Sequence, residues 1–368
     1  MKKFVLLFLI CFITFGITAQ TYPKAPGVIR LLTYNTHYCK GGGDPGSIDD
    51  YNTRRVALVI EALDADVVAL QELDSAMNGR NRRNLLQQIT DYTDITDYTD
   101  SPYTPIFGGL CKLDGGKVGP GVLVKPNLPI SKVKLISLGG SIEERCAMRI
   151  DFDQFVFFCT HLDLDDNLRI MSANTLINEL DYIRKPSFLA GDMNDSHRWG
   201  QGGIAFPTLL TKYTIASDTE GNTIPGRTDN NGLIDYILYH DYKDSGIKIV
   251  DTHIVRELKI EGSVVDLASI SDHYPVFVDI EVPGLSAIEN TTAAQEVKLY
   301  PTYVQDRLNI ESDTPVEQVN IYSLTGQKQL QLKGTDIRTV DLSSLAKGIY
   351  IVETSAQGKS HKARIIKL

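Results

Sequence analysis

Amide, acidic and imidazole side chains recur in this sequence where apolar runs stop. LLTYN ends in Asn35, VVALQE in Glu72, FVFFCTH in His161, and SFLAGDMN in Asp192 and Asn194. Asp235 opens the run after Ile234, and Asp272 and His273 stand just before PVFVDIE. One such residue is ordinarily a cap or a turn former. Their repetition at one kind of boundary points to chemistry. In layered α/β folds, strand ends and their loops meet on one rim, where reacting groups are placed. Asn, Glu and several Asp on one rim suit a hard divalent cation such as Mg²⁺, which takes oxygen ligands. Histidines beside it can stabilise an oxyanion or move a proton.

Elements that alternate along residues 28–282 must position these groups. VIRLLTYN (28–35) and DVVALQE (66–72) read as strands around an amphipathic helix at Asp49–Asp64, with Val56, Val59, Ile60 and Leu63 on one face. A helix is expected at Asn81–Thr90, short β runs from Tyr103 to Thr160, and another helix at Asn167–Ile183. Ser187–Gly191, Asp235–Tyr239 and Pro275–Glu281 complete the strands. The order is α/β. In GGKVGPGVLVK (115–125), Pro120 removes an N–H from the ladder, so that strand is expected to be bulged or at an edge. Residues 283–297, rich in small and polar types, read as a linker. About seventy residues after it look entirely β and form a second, small sandwich, with strands such as VNIYSL (319–324) and GIYIVET (348–354).

Lys2 and Lys3 precede an apolar run, Phe4–Ile17, which closes on Thr18 and Ala19. That is the pattern of a secretory signal peptide over residues 1–19, too short to span a bilayer. The 368 residues are 42% hydrophobic and 23% charged, which excludes a largely disordered chain. The formal net charge of −9 becomes −11 without Lys2 and Lys3. The last 78 residues carry +2, so residues 20–290 carry −13, and no broad electrostatic grip on nucleic acid is written into that charge. Cys39, Cys111, Cys146 and Cys159 lack the paired spacing of a zinc site. A two-residue turn at Phe152–Asp153 would set Cys146 opposite Cys159, close enough for a disulfide if the register holds.

The motifs LTYN, VVALQE, THLD, AGDMN, IDYIL and SDHYPV, in this order, resemble those of the endonuclease/exonuclease/phosphatase superfamily over residues 28–282. The resemblance implies a four-layered α/β sandwich, two packed mixed sheets flanked by helices, and metal-assisted attack of water on phosphorus. Glu72 would be the metal ligand, with Asn35 beside the ion and Asp272 at or near it. Mg²⁺ is the expected ion, with Mn²⁺ or Ca²⁺ as alternatives. Asp192 would orient and deprotonate the water, and Asn194 would hold Asp192 and a phosphate oxygen. His273, paired with Asp235, would bind the phosphoryl group, and His161 would contact another of its oxygens. Leu233 departs from the family's basic residue two positions before the Asp of IDY.

Weaker candidates surround this set. His37 and Arg145 could line the cleft, Asp74 and Asp163 could support it from behind, and His197 and Trp199 sit in the loop after Asp195. Gly41–Gly43 lacks the spacing of a nucleotide cradle. The tail blocks LYPTYVQDRLNI, VNIYSLTGQ and VDLSSLAKGIYIVE, with the basic ending KARIIKL, resemble the sorting domain of the type IX secretion system, Thr302 replacing the usual Asn. That resemblance implies export to the cell surface or the medium. The resulting expectation is a secreted, monomeric phosphoester hydrolase without a transmembrane segment, foremost a phosphodiesterase or nuclease. A phosphatase or phospholipase C-type enzyme on small or lipid phosphoesters is the alternative. A catalytically inactive binding or adhesion protein is the alternative of another class.

Overall fold

The computed structural model describes residues 21–42, 50–93, 103–229, 231–260, 263–284, 297–300, 303–312, 314–323, 328–346, 348–356 and 359–367. The expected signal peptide and nearly all of the expected linker lie outside these residues. In chain order the strands of the larger part are β1 (Ile29–Asn35), β2 (Val67–Ser75), β3 (Thr104–Phe107), β4 (Cys111–Leu113) and β5 (Gly116–Val124). Then come β6 (Lys132–Gly139), β7 (Arg145–Asp151), β8 (Val156–His161), β9 (Ser187–Asp192), β10 (Thr214–Ile215) and β11 (Asp235–His240). Finally β12 (Lys248–Ile254), the short pair β13 (Lys259–Ile260) and β14 (Ser263–Val264), and β15 (Val276–Glu281) complete the set. The helices are α1 (Asp50–Ala62), α2 (Leu85–Thr93), α3 (Asp166–Glu179) and the single turn α4 (Phe206–Leu209).

Two mixed sheets result. One has the order β12-β15-β1-β2-β5-β3, with β4 also on β5; the other runs β10-β11-β9-β8-β7-β6. Each holds one parallel pair, β1 with β2 and β8 with β9. Parallel partners need a crossover, and α1 and α3 supply it. Between the sheets, Leu31, Ala69, Val122 and Val278 pack against Met148, Phe157, Phe188, Ala190 and Ile237. Outside the first sheet, Val56, Ile60, Leu85 and Ile89 of α1 and α2 cover Leu32, Leu70 and Leu123. Outside the second, Ala173, Leu176, Phe206 and Leu209 of α3 and α4 cover Phe158, Leu189 and Leu238. The order is helix, sheet, sheet, helix. Strands β1, β8 and β9 are buried along their whole length, which is why they read as unbroken apolar runs.

Three details differ from expectation. The helix expected at Asn81–Thr90 starts at Leu85, because Asn81 and Arg82 are left-handed (φ 57° and 50°) and Arg83 turns in to bind Asp74. Strand β5 lies inside its sheet, between β2 and β3, so the edge reading of Pro120 is wrong. The bulge is in its partner: Leu70 pairs with Gly121 and Leu73 with Gly119, so Gln71 and Glu72 stand opposite the proline. A residue without an N–H is tolerated there because the ladder is already interrupted. The Cys146–Cys159 bridge is also absent, and all four described cysteines are free thiols. The β7–β8 hairpin turns over four residues, since the buried rings of Phe152 and Phe155 pack together at 4.8 Å. That moves the register by two, and Cys159 faces Met148 instead.

The tail, described by itself, contains only strands among its described residues. Lys298–Tyr300, Arg307–Glu311 and Thr339–Asp341 form a three-stranded sheet; five other segments, including Gln318–Ser323, Gly348–Ala356 and Lys359–Lys367, form a second. Leu308, Ile310 and Val340 of one sheet bury against Val319, Ile321 and Val352 of the other. This is the all-β sandwich expected.

Candidate active site

Corresponding ends of the two sheets bring the motif residues to one cleft. Parallel pairing sets His161 beside Asp192, and antiparallel pairing sets Asp192 beside Asp235. Gly191 makes the first approach possible, because a Cβ there would lie 2.0 Å from the Thr160 carbonyl oxygen. From the other sheet come Asn35 at the end of β1 and Glu72 in the β2 bulge, where φ is +56°. That left-handed residue interrupts the strand's alternation at the position that carries the carboxylate. The loop before β15 carries Asp272 and His273; its Ser271 hydroxyl donates to the Asn35 carbonyl at 2.7 Å and ties the loop to β1.

The buried carboxylate of Asp192 is the focus. Asn35 Nδ2 donates to its Oδ2 at 3.1 Å, while His161 Nε2 lies 3.4 Å and His273 Nε2 3.7 Å from the same oxygen. The Asn194 backbone N–H donates to Oδ1 at 2.8 Å, from a residue held left-handed at φ +45°. His273 Nδ1 bonds Asp235 Oδ2 at 2.8 Å. Burial opposes charge on His273, but Asp235, and after it Asp192, overrides burial and raises its pKa to about 10. Burial drives His161 the other way, to about 3, against the pull of Asp192 and helped by Arg145. The two histidines therefore differ in charge at neutral pH, one cationic and one neutral.

Glu72 accepts from Asn35 Nδ2 at 3.2 Å. Burial raises its carboxyl above the ordinary value, opposed by the Asn35 bond and reinforced by the charge on Asp272. Asp272 Oδ1 is buried without a hydrogen bond, with His37 Nδ1 3.7 Å away. Two carboxylates that repel one another, one with an unsatisfied oxygen, beside an amide, fit a hard divalent cation. A second group, Asp192, Asp235 and His273, brings its ligand atoms within 4.8 Å of one another. Its internal hydrogen bond commits His273 Nδ1 to Asp235, whereas Asp272 Oδ1 has no hydrogen-bond partner and Asn35 Oδ1 accepts from the His37 N–H at 3.0 Å.

The weaker candidates sort by contact. Arg145 Nη1 meets His161 Nδ1 at 3.1 Å. Asp163 accepts from Ser141 N–H and Oγ–H and anchors the loop that carries Glu143 and Arg145. Asp74 binds Arg83 and Arg80, behind Tyr38. His37 Nδ1 is taken by the Gly41 carbonyl at 2.7 Å. His197 packs on Tyr236 and Phe206, and Leu233 is fully buried in the core. Two wall residues, Tyr38 and Glu143, escaped the sequence reading. They line the cleft beside Glu72, Pro120 and His161, and the Tyr38 hydroxyl donates to Glu143 at 3.1 Å. Their only signal is adjacency, Tyr38 to His37 and Glu143 to the Arg145 segment.

Comparison with known proteins agrees with this geometry. The model of the Endonuclease/Exonuclease/phosphatase family matches residues 32–273, and that of the secretion system C-terminal sorting domain matches 298–368. No curated protein matches the chain. Among solved structures, an endonuclease/exonuclease/phosphatase from Beutenbergia cavernae aligns at 17% identity and TM-score 0.52, over 92% of this chain and 100% of that one. A humanized D. rerio TDP2 with 14 mutations aligns at 14% identity and TM-score 0.50, over 69% of this chain and 99% of that one. At such identities they show the fold alone. The sorting domain marks the chain for type IX export to the cell surface or beyond, and no helix among the described residues is long and apolar enough to cross a membrane. With six motifs converging on one cleft and the family model spanning both sheets, the chain belongs to the endonuclease/exonuclease/phosphatase family of metal-dependent phosphoester hydrolases.

Proposed function

We propose that this chain is an exported phosphodiesterase that cleaves its substrate by in-line attack of water on phosphorus. The observation that carries the reading is the meeting of Asn35, His161 and His273 around Asp192 Oδ2, from both sheets. A phosphoryl transition state spreads charge over its oxygens, so catalysis is positioning plus fixed donors and a base. Asp192 orients the water and accepts its proton. Asn194 holds Asp192 through its backbone N–H. Cationic His273, oriented by Asp235, meets the charge that builds on the phosphoryl oxygens, and His161 donates to another of them. Glu72, Asp272 and Asn35 would hold the divalent cation, foremost Mg²⁺, which would supply positive charge to offset the charge that develops in the reaction. Residues 1–19 act as the signal peptide that starts export, and 283–297 link the hydrolase to the sorting domain.

Charge favours a second reading of the substrate. Residues 20–290 carry −13 and the cleft wall includes Glu143 and Glu144, which repel a long polyanion and favour small or lipid phosphoesters. The test is a panel of DNA, RNA, small phosphodiesters, phospholipids and sugar phosphates with Mg²⁺, Mn²⁺ and Ca²⁺. Hydrolysis is expected on at least one diester and is lost in excess chelator. Glu72→Gln is expected to raise the Mg²⁺ needed for half-maximal rate by about tenfold or more. Asp192→Asn cuts turnover with little change in that requirement. Full activity in chelator would sink the mechanism.

A further inference from the structure

Two hydrogen-bond donors face the ring of His161, one at each nitrogen. Arg145 Nη1 lies 3.1 Å from Nδ1 and Asn194 Nδ2 lies 3.0 Å from Nε2. A neutral imidazole carries one proton and one lone pair, so it can accept only one of them. The Asn194 amide cannot be turned over to remove the conflict. Its Nδ2 also donates to the Leu162 carbonyl at 2.9 Å, and reversal would set oxygen against oxygen. Arg145 has no acceptor and keeps its charge. A proton on Nδ1 would point into the guanidinium, whereas a lone pair there receives a charge-assisted hydrogen bond, the stronger of the two on offer. Each donor keeps a second bond in either case, Asn194 Nδ2 to Leu162 and Arg145 Nη1 to Glu143, so the charge on the guanidinium decides between them.

We propose that Arg145 is a positioning residue that fixes the tautomer of His161, lone pair on Nδ1 and proton on Nε2, and so makes His161 an N–H donor toward the phosphoryl site. The opposite tautomer would present a lone pair to an anionic phosphate oxygen and repel it. Asp192 Oδ2 lies 3.4 Å from Nε2.

The surroundings hold the guanidinium to this task. Glu143 accepts from Arg145 Nη1 at 3.3 Å, and the Tyr38 hydroxyl donates to the other Glu143 oxygen. Tyr38 is the middle of three successive left-handed residues, His37, Tyr38 and Cys39, with φ of 48°, 51° and 54°. Such residues cost on the order of 1–3 kcal/mol each and persist only where their surroundings over-determine them. Here Arg83 Nη2 donates to the Tyr38 carbonyl at 2.6 Å, and the Arg80 guanidinium lies 3.6 Å from the ring centroid. A chain of contacts thus runs from Asp74 through Arg83, Tyr38, Glu143 and Arg145 to His161.

The inference rests on the hydrolase reading for its consequence, but the tautomer is measured without turnover. The full chain is labelled with ¹⁵N-histidine, and the ring nitrogens are observed near neutral pH, with His161 assigned by its loss in His161→Gln. Couplings to the ring protons tell Nδ1 from Nε2. The wild-type protein is expected to show a proton on Nε2 alone. Arg145→Met is expected to invert the ring to the Nδ1–H form, with Nε2 accepting from Asn194. It should also lower kcat by about a hundredfold, as loss of one fixed donor does, with KM little changed. Arg145→Lys, which keeps a cationic donor, restores the wild-type tautomer and most of kcat. If Arg145→Met does not fold, Arg145→Gln replaces it and is expected to populate both tautomers. A ring that stays wholly Nε2–H in the folded variant overturns the proposal. So does a rise in KM at constant kcat, which would make Arg145 a direct phosphate contact. Absence of hydrolysis by the wild-type protein on every substrate would instead defeat the hydrolase reading and leave the tautomer result standing.

Discussion

Asp235 and His273 sit 38 positions apart and meet at 2.8 Å, each buried, with the histidine held cationic to about pH 10 by the carboxylates around it. If Asp235 serves the reaction through that ring, its effect should vanish once the ring is gone. Asp235→Asn and His273→Ala are each expected to lower kcat on the order of 10²-fold or more, and the double variant to be little worse than His273→Ala. The check is a double-mutant cycle on turnover, with thermal melts of all four proteins. Losses that add in log rate at unchanged melting temperature would show the pair to be uncoupled. The individual residues of this site were legible as types at strand ends. Residue types and spacing alone did not give the pairings, and the Asp235–His273 pair was expected only from the family resemblance, because that hydrogen bond depends on where the start of β11 meets the loop before β15.

At the scale of elements, the cleft depends on segments that hold polar groups in place. The β6–β7 loop is held by Asp163, which accepts the backbone N–H and the hydroxyl of Ser141 at 3.0 and 2.6 Å and the Asp165 N–H at 2.9 Å. Burial works against this carboxylate, but the Ser141 and Asp165 bonds, with Arg145 nearby, hold its pKa below the ordinary value. Because the folded-state pKa is depressed, the stabilisation is present above the unfolded value, about 4, and fades as pH falls through the folded value. Asp163→Asn is expected to cost about 2 kcal/mol near neutral pH. In melts taken from pH 7 to pH 3, its deficit against the wild type should shrink only toward the acid end. A deficit constant with pH would mean that the charge contributes nothing. The bulge in β2 belongs to this scale too. Pro120 announced an irregular ladder, but only pairing across the sheet decided that Gln71 and Glu72, and not the proline strand, absorb it.

At the scale of the whole chain, every group placed in the cleft lies between Asn35 and His273, and the tail buries its own core of Leu308, Val319, Ile321 and Val340. A chain ending near Pro283 is therefore expected to fold and to hydrolyse the same substrates at an undiminished rate. It should be retained by the native host instead of reaching the cell surface or medium. Assays of the purified truncated and full chains, with fractionation of cells making each, check both halves. A folded but inactive truncated protein would place part of the site in the tail.

The alternation of strands and helices along the chain and the polar residues at strand ends were determined by the sequence alone, because burial on both faces leaves unbroken apolar runs and a rim residue interrupts them abruptly. Asn35, Glu72, His161, Asp192, Asn194, Asp235, Asp272 and His273 could all be named on that basis together with the family resemblance. Only the tertiary structure decided register and contact. It set the β7–β8 turn at four residues, through the packing of Phe152 on Phe155, and so kept Cys146 from facing Cys159. It also brought Tyr38, Glu143 and Arg145 behind His161, residues whose sequence neighbourhoods carry no shared pattern. Periodicity reports which face of an element is buried. The partner that a buried polar group finds depends on chain segments that converge only on folding.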